Sequence, residues 1–168
     1  RILNRISELL LKRLFDRIIN KYGKPDIIHT HFIGIGYTAV KVLKNSNIPI
    51  VHTEHSSQMN QEVLSEYNKY LGNNTYKHLD KVLTVGTHLA YNLKDKFGVE
   101  SVVVPNIVDT AKFNYSSPNN DAGEFNFISV GSLLPNKRMD LLINSFYHAF
   151  NDNDQVKLYI YGEGPERK

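Results

Sequence analysis

The sequence contains no cysteine, and this absence removes several kinds of chemistry at once. Disulfide bonds, thiolate metal sites and a cysteine nucleophile are all excluded, and a reducing, cytoplasmic compartment is the expected location. No run of about eighteen apolar residues occurs, so no membrane-spanning helix is predicted. Internal repeats and low-complexity tracts are also absent from the sequence.

The bulk composition is that of a folded globular protein, with 41% apolar and 22% charged residues among 168. This length suffices for one core, or for one domain and part of another. The first residue is Arg1 and no signal-peptide pattern follows it, so we expect upstream sequence to be missing.

Positive charge is concentrated at the start of the chain. The formal net charge is +3, yet residues 1–24 alone carry seven basic and two acidic side chains. A nucleic-acid-binding protein would be expected to keep basic residues on its working surfaces throughout. We therefore expect no nucleic-acid partner.

The basic segment has the periodicity of an amphipathic helix. Apolar residues recur at steps of three and four, which predicts a helix over residues 2–21 that ends near Gly23 and Pro25. We expect its apolar stripe to pack on a sheet. The alternative is peripheral contact of helix 1–24 with anionic lipid at the inner membrane face. The stripe consists of Leu3, Ile6, Leu10, Leu14 and Ile18.

Short apolar strands alternate with helices along the next part of the chain. Strands are predicted over residues 26–31, 48–53, 81–85 and 101–104. Helices are predicted over residues 35–45, 60–78 (interrupted near Gly72) and 87–97. This alternation predicts an α/β fold with a doubly wound parallel sheet covered on both faces.

Residues 114–124 have the composition of a linker, after which the α/β pattern begins again. A strand over 125–131, a helix over 137–150, a strand over 156–161 and a helix from Pro165 are predicted. We therefore expect a first domain over 1–113, the linker, and a truncated second domain over 125–168.

Candidate site residues lie where the strands end, because ligands of open α/β sheets bind beyond the carboxyl ends of the strands. Basic side chains near a helix N-terminus oppose the helix dipole unless an anion such as phosphate joins them. In the first domain the candidates are His31, Gly34, Glu54, His55 and Asn106, and in the second Gly131, Ser132, Lys137, Arg138, Gly162 and Gly164.

Four of the seven histidines, at positions 29, 31, 52 and 55, follow two of the predicted strands or lie within them. His29 and His31 share a face because side chains alternate along a strand. A zinc set with Glu54 is conceivable, but we favour a polar cleft, with one or two histidines packed in the core. If His29 is a packed one, its replacement should act mainly on stability.

Five stretches resemble the retaining glycosyltransferases of family 4, which have the GT-B fold. Residues 26–31 (DIIHTH) are similar to the family's D-x-h-H-x-H strand, in which h is apolar, and residues 49–55 (PIVHTEH) to the strand that ends in the active-site histidine. Residues 105–113 (PNIVDTAKF) resemble P-N-G-V-D-x-x-x-F, residues 130–143 (VGSLLPNKRMDLLI) resemble V-G-R-L-…-K-G-x-D-x-L-I, and residues 161–167 (YGEGPER) resemble G-x-G-P-x-R.

The resemblance implies two Rossmann-like domains of GT-B type that face each other, the first holding the acceptor and the second the nucleotide sugar. The resemblance further implies that transfer would retain the sugar's configuration, generally without a catalytic metal, and we expect no cofactor. His55 would reach the transferring sugar and Lys137 the donor diphosphate. The acceptor would be a glycan, a lipid-linked or a small molecule, in cell-surface polysaccharide or glycoconjugate synthesis.

The sequence departs from the family pattern at three positions. Ser132 stands where the family has arginine, Arg138 where it has glycine, and Ile107 where it has the glycine of P-N-G-V-D. Arg138 could supply the charge that Ser132 lacks. The first strand with its glycine loop and the later E-x7-E region are not in the sequence, so we expect an incomplete first domain and a truncated second one.

Two other functions are also compatible with the sequence. One is a related enzyme of the same fold, such as a nucleotide-sugar epimerase. The other is a non-enzymatic metal-binding or adaptor domain that uses the histidines.

We predict that the 168-residue chain alone is catalytically inactive and binds no common nucleotide sugar more tightly than roughly millimolar, or about −4 kcal/mol. By the resemblance, we expect most of the donor-side domain to lie outside these residues, and transfer requires donor and acceptor to be held together. Calorimetric titration checks the prediction. Micromolar binding would show that the donor site lies elsewhere.

Overall fold

The computed structural model describes residues 2–114 and 123–167. The chain divides into two compact units, Arg1–Asp109 and Thr110–Lys168. The helices are α1 (Ile2–Tyr22), α2 (Ile33–Leu43), α3 (Glu66–Thr75), α4 (Thr87–Phe97) and α5 (Met139–Phe150). The strands are β1 (Ile28–His31), β2 (Ile50–Glu54), β3 (Lys81–Thr84), β4 (Val102–Val103), β5 (Phe125–Val130) and β6 (Val156–Tyr161).

The first unit is built on a parallel sheet with strand order β1-β2-β3-β4. Ile28 of β1 pairs with Ile50 of β2, and Val51 of β2 pairs with Lys81 of β3. Each parallel pair needs a crossover, and helices supply it. This architecture confirms the α/β fold that the sequence predicts. The main core cluster consists of Ile33, Tyr37, Met59, Leu64, Leu71, Tyr76, Val82, Leu89 and Leu93.

Helix α1 packs through a different stripe from the predicted one. Leu11 and Phe15 contact the cluster formed by Ala39, Leu43 and Ile50. The predicted stripe of Ile6, Leu10, Leu14 and Ile18 instead lies 39% to 60% exposed, and the Leu3 side chain lies outside the described residues. Both sets have helical spacing, so periodicity could not decide which of them faces the sheet.

Helix α3 runs through Gly72, where the sequence predicts a break. The helix begins later than predicted, at Glu66, and the hydroxyl of Ser65 caps it by accepting from the Asn68 N–H. A Cβ atom at Gly72 would overlap the ring of Phe97. The glycine is therefore explained by close packing against α4 and not by a turn.

The second unit contains one parallel strand pair, β5 and β6, with α5 as the crossover. Of its described residues only Leu133 is buried. Helix α5 begins at Met139, two residues later than predicted, because Arg138 adopts a left-handed conformation with φ of 51°. Pro165 starts only a single 3-10 turn, Pro165–Arg167.

No helix within residues 2–114 and 123–167 combines the length and the apolar character that crossing a bilayer requires.

We predict that Gly72→Ala lowers the free energy of unfolding by up to about 2 kcal/mol. The added methyl must displace the Phe97 ring, which costs about 1–3 kcal/mol. A gain of about 1 kcal/mol in helix propensity offsets part of this cost. Chemical denaturation measures the free energy of unfolding.

Asn73→Ala is the matched control, since Asn73 is an exposed neighbour in the same helix. The double variant Gly72→Ala/Phe97→Leu should lose less stability than the sum of the two single variants. Equal stability of the Gly72 and Asn73 variants would contradict the packing explanation.

Candidate active site

Two histidines meet where β1 and β2 end. His31 is the last residue of β1, and His55 directly follows β2. His31 Nδ1 lies 2.9 Å from His55 Nε2, within hydrogen-bond distance. One of these nitrogens must donate and the other accept, so the two facing atoms share one proton. Protonating both rings would remove the bond.

A surface cavity of about 450 Å³ opens beside this pair. His55 and Gly34 line it, together with the Phe32 ring, whose centre lies 5.2 Å from that of His55. Phe32 has φ of 63°, a conformation that L-residues avoid and that typically costs about 1–3 kcal/mol. Such strain is common at functional sites. The remaining lining residues are Ile33, Ser56, Ser57, Gln58, Tyr67, Asn68 and Leu71.

The backbone that carries His55 is held by the carboxylate of Glu54. One carboxylate oxygen accepts hydrogen bonds from the His55 N–H at 3.0 Å and the Ser56 N–H at 2.9 Å. The other accepts from the Tyr76 hydroxyl at 2.9 Å and lies 3.3 Å from His52 Nε2. Glu54 is 0% exposed and does not line the cavity, which differs from the cleft position that the sequence predicts. It fixes the loop that does.

Burial and hydrogen bonding act on Glu54 in opposite directions. Burial alone would raise the pKa of Glu54, but the hydrogen bonds from His52, Ser56 and Tyr76 and the charge interaction with His52 lower it below its ordinary value. Burial and the nearby Glu54 charge raise the pKa of Tyr76. The pair is therefore an ionised carboxylate that accepts from a neutral phenol.

The histidines occupy distinct environments. His52 is the packed one, with Nδ1 2.9 Å from Thr30 Oγ1, whereas His29 is exposed, with Nε2 2.8 Å from Thr53 Oγ1. His29 is therefore not the packed histidine, and the condition under which its replacement would act mainly on stability is not met. Partial burial and the neighbouring histidines lower the pKa of His31. Residues 2–114 and 123–167 bring together no set of three metal-ligating side chains.

Asn106 lies apart from this arrangement. It is exposed in the segment that follows β4, and it is not among the residues that line the cavity. The neighbouring Ile107 is 93% exposed. A role for Asn106 therefore stays a prediction from the sequence.

In the second unit, the candidate glycines bring two loops into backbone contact. Leu133 N–H donates to the Glu163 carbonyl at 2.9 Å, and Glu166 N–H donates to the Leu133 carbonyl at 3.2 Å. A Cβ at Gly162 would overlap the Gly131 carbonyl, and one at Gly164 would overlap that of Leu133. These glycines thus have a packing role, and their role in donor binding stays a prediction.

The charged candidates of the second unit lie just before α5. Lys137 is exposed in a 3-10 turn, Pro135–Lys137, and not in the helix as expected, and Ser132 is also exposed. The Arg138 guanidinium donates through Nε and Nη2 to the two Asp140 carboxylate oxygens, each at 3.0 Å. The guanidinium of Arg138, which could replace the arginine that the family has at position 132, is therefore already paired with Asp140.

Sequence reasoning missed Phe32, Tyr67, Asn68 and Tyr76. None of them belongs to a motif that carries a recognisable chemistry. Tyr67 and Asn68 reach the cavity because Ser65 starts α3 at that edge, and a serine followed directly by Glu66 is a cap signal that could have located it.

We predict that Glu54→Gln lowers the free energy of unfolding by about 1–3 kcal/mol at neutral pH, because an amide cannot accept all four contacts. The lowered pKa of Glu54 means that its ionised form stabilises the fold above about pH 4. This stabilisation is lost as pH falls through the folded-state pKa. Denaturation of wild type and variant between about pH 3 and pH 7, which spans ordinary carboxyl titration, measures the difference.

Glu66→Gln is the control, because that carboxylate is exposed and pairs with Lys69 across one turn of α3. It should change little. The interpretation fails if Glu54→Gln retains the full acid dependence of the wild type.

Comparison with known proteins gives a consistent assignment. The model of Glycosyltransferase Family 4 matches residues 3–112. Alpha-monoglucosyldiacylglycerol synthase of Streptococcus pneumoniae (strain ATCC BAA-255 / R6) is 24% identical over 88% of this chain and 38% of its own length. Two crystal structures of S. aureus TarM are 19% identical and cover 96% of this chain and 31% of theirs, with TM-scores of 0.66 and 0.64.

The TarM structures confirm the GT-B type of α/β fold, of which this chain represents a part. One of them is a TarM mutant in complex with Fondaparinux, alpha-GlcNAc-glycerol and UDP. The chain spans about a third of the length of these relatives. Because the family model covers well over half of the 168 residues, the chain belongs to glycosyltransferase family 4.

Proposed function

We propose that the protein transfers a sugar, with retention of configuration, from a nucleotide-sugar donor to a glycan, lipid-linked or small-molecule acceptor. The observation that carries the proposal is the His31–His55 pair, of which His55 lines a surface cavity, in a chain of glycosyltransferase family 4. The UDP in the TarM complex and the name of the streptococcal synthase support a nucleotide donor and a carbohydrate or glycolipid product. Cell-surface polysaccharide or glycoconjugate synthesis is the process that we propose.

His55 is the residue that we place against the transferring sugar. Its ring is half-buried at the cavity wall, its backbone is fixed by Glu54, and its Nε2 is engaged by His31. That engagement fixes the orientation of the ring, which leaves Nδ1 to hydrogen-bond a sugar hydroxyl. A ring fixed in advance stabilises the transition state without a cost of reorganisation.

On the donor side, Lys137 is the cation that we assign to the diphosphate. It lies in the exposed turn directly before α5. This turn follows β5, as Gly131 does, and Gly162 and Gly164 follow the neighbouring parallel strand β6. A charge-assisted contact there would strengthen as the leaving group becomes more negative. No catalytic metal is included in the proposal.

In the full-length enzyme, we expect His55→Ala to lower kcat by about a hundredfold while changing the donor KM little, because the contact matters most in the transition state.

Lys137→Ala should lower kcat/KM for the donor by about a hundredfold as well. Steady-state transfer assays with purified enzyme measure both effects.

Lys94→Ala removes an exposed lysine paired with Glu100 on α4 and serves as the control. Near-wild-type turnover of His55→Ala or Lys137→Ala would remove that residue from the site. Epimerisation of the donor without transfer to any acceptor would establish the epimerase alternative.

A further inference from the structure

Two adjoining cavities extend along the surface of the first unit between α1, α2 and α3. Their volumes are about 880 Å³ and 480 Å³, and Arg5, Glu8 and Lys41 line both of them. The larger is completed by Asn4, Tyr37, Tyr67 and Tyr70, and the smaller by Leu9, Lys12 and Val42. We call these two cavities together the α1 groove.

The α1 groove adjoins the candidate active site. Tyr67 lines the larger cavity of the groove and also the cavity that contains His55. A chain-like ligand with one end at His55 could therefore continue past Tyr67 into the groove. The groove is therefore suited to an acceptor that extends beyond the sugar that reacts at His55.

Cations outnumber acidic side chains along the groove. Arg5, Lys12 and Lys41 face a single carboxylate, that of Glu8. A groove with this excess of positive charge attracts anions, and guanidinium and ammonium groups form charge-assisted hydrogen bonds with carboxylate, sulfate or phosphate oxygens.

Tyrosines form the wall of the groove nearest to the site. The hydroxyl groups of Tyr37 and Tyr70 lie 3.1 Å apart, and the ring centres lie 5.8 Å apart. Tyr67 and Tyr70 are about half exposed, and Lys41 Nζ lies 5.6 Å from the centre of the Tyr37 ring. Exposed rings with polar hydroxyls offer both an apolar face and a hydrogen-bonding group, which suits a sugar ring.

A membrane surface is the competing occupant. The geometry of α1 argues against it, because the groove and the apolar stripe that would contact a bilayer lie on different sides of the helix. The groove residues Arg5, Glu8 and Lys12 lie on one side of the helix, at about 100° per residue. The exposed apolar stripe of Ile6, Leu10, Leu14 and Ile18 lies on roughly the opposite side. A bilayer in contact with the stripe would therefore not fill the groove.

We propose that the α1 groove is a subsite for an anionic carbohydrate chain, the part of the acceptor that extends beyond the reacting sugar. This inference rests on the proposed transferase function, which it deepens by naming the acceptor class. The cations bind the acidic groups of the chain, and Tyr67 and Tyr70 contact its sugar rings.

The test is calorimetric titration of the 168-residue chain with trigalacturonic acid and a chondroitin sulfate tetrasaccharide, against neutral maltotriose. We expect both anionic probes to bind, and maltotriose to bind at least about tenfold more weakly. Arg5→Gln and Lys41→Gln should each weaken the anionic probes about tenfold. Lys94→Gln, which removes an exposed lysine on α4, should change nothing.

Several outcomes would overturn the proposal. Equal binding of neutral and anionic probes, or no binding of the anionic ones, would remove the anionic-chain subsite. If inorganic phosphate at the same concentration displaces the anionic oligosaccharides, the groove is a site for a single anion and not for a carbohydrate chain. Binding only to phosphatidylglycerol vesicles, with loss in the Arg5 and Lys41 variants, would assign the groove to a membrane surface.

The result is separable from that of the transferase assays because no transfer is measured. If the chain does not bind the anionic probes but the full-length enzyme transfers sugar, the subsite is refuted and the transferase function is retained. Intact probe binding without transfer to any acceptor would refute the proposed function and would leave the groove as a binding site for anionic carbohydrate, not as an acceptor subsite. Circular dichroism of each variant confirms that its fold is retained.

Discussion

The first unit depends on one buried carboxylate, that of Glu54. Its two oxygens join the end of a central strand to the following loop, to the Tyr76 hydroxyl and to the His52 ring. A buried charge is tolerable only when hydrogen bonds replace its lost hydration, and here they come from the strand itself, from the loop that follows it and from the distant Tyr76. Removing any one donor would weaken the anchoring of the others. The position of the His55 backbone is thereby tied to the core.

The order and type of the main elements could be predicted from the sequence because apolar runs, helical periodicity and turn residues agree along the chain. Helix α4 and strand β6 have the predicted bounds. The face of α1 could not be predicted, since two apolar stripes with the same spacing compete for the sheet. Only contacts with Ala39, Leu43 and Ile50 distinguish Leu11 and Phe15 from the exposed stripe.

The site could be predicted where its residues follow strand ends, as His31 and His55 do. The burial of Glu54 could not be predicted, because a carboxylate next to a candidate histidine can equally well take part in catalysis or hold the backbone in place. What decides is Tyr76, a residue that is distant in sequence and carries no motif. Likewise, Phe32 enters the site through an unusual backbone angle, a property that the identity of the residue does not reveal.

The backbone contact between the loops after β5 and β6 has a mechanical consequence. Gly162 and Gly164 leave no side chain between those loops, so hydrogen bonds through Leu133 join them into one body. To separate the two loops, these backbone hydrogen bonds would have to break, so movement of one loop is coupled to the other. The side chains of Ser132 and Glu163 lie exposed outside this backbone contact, so replacing them leaves the coupling unchanged.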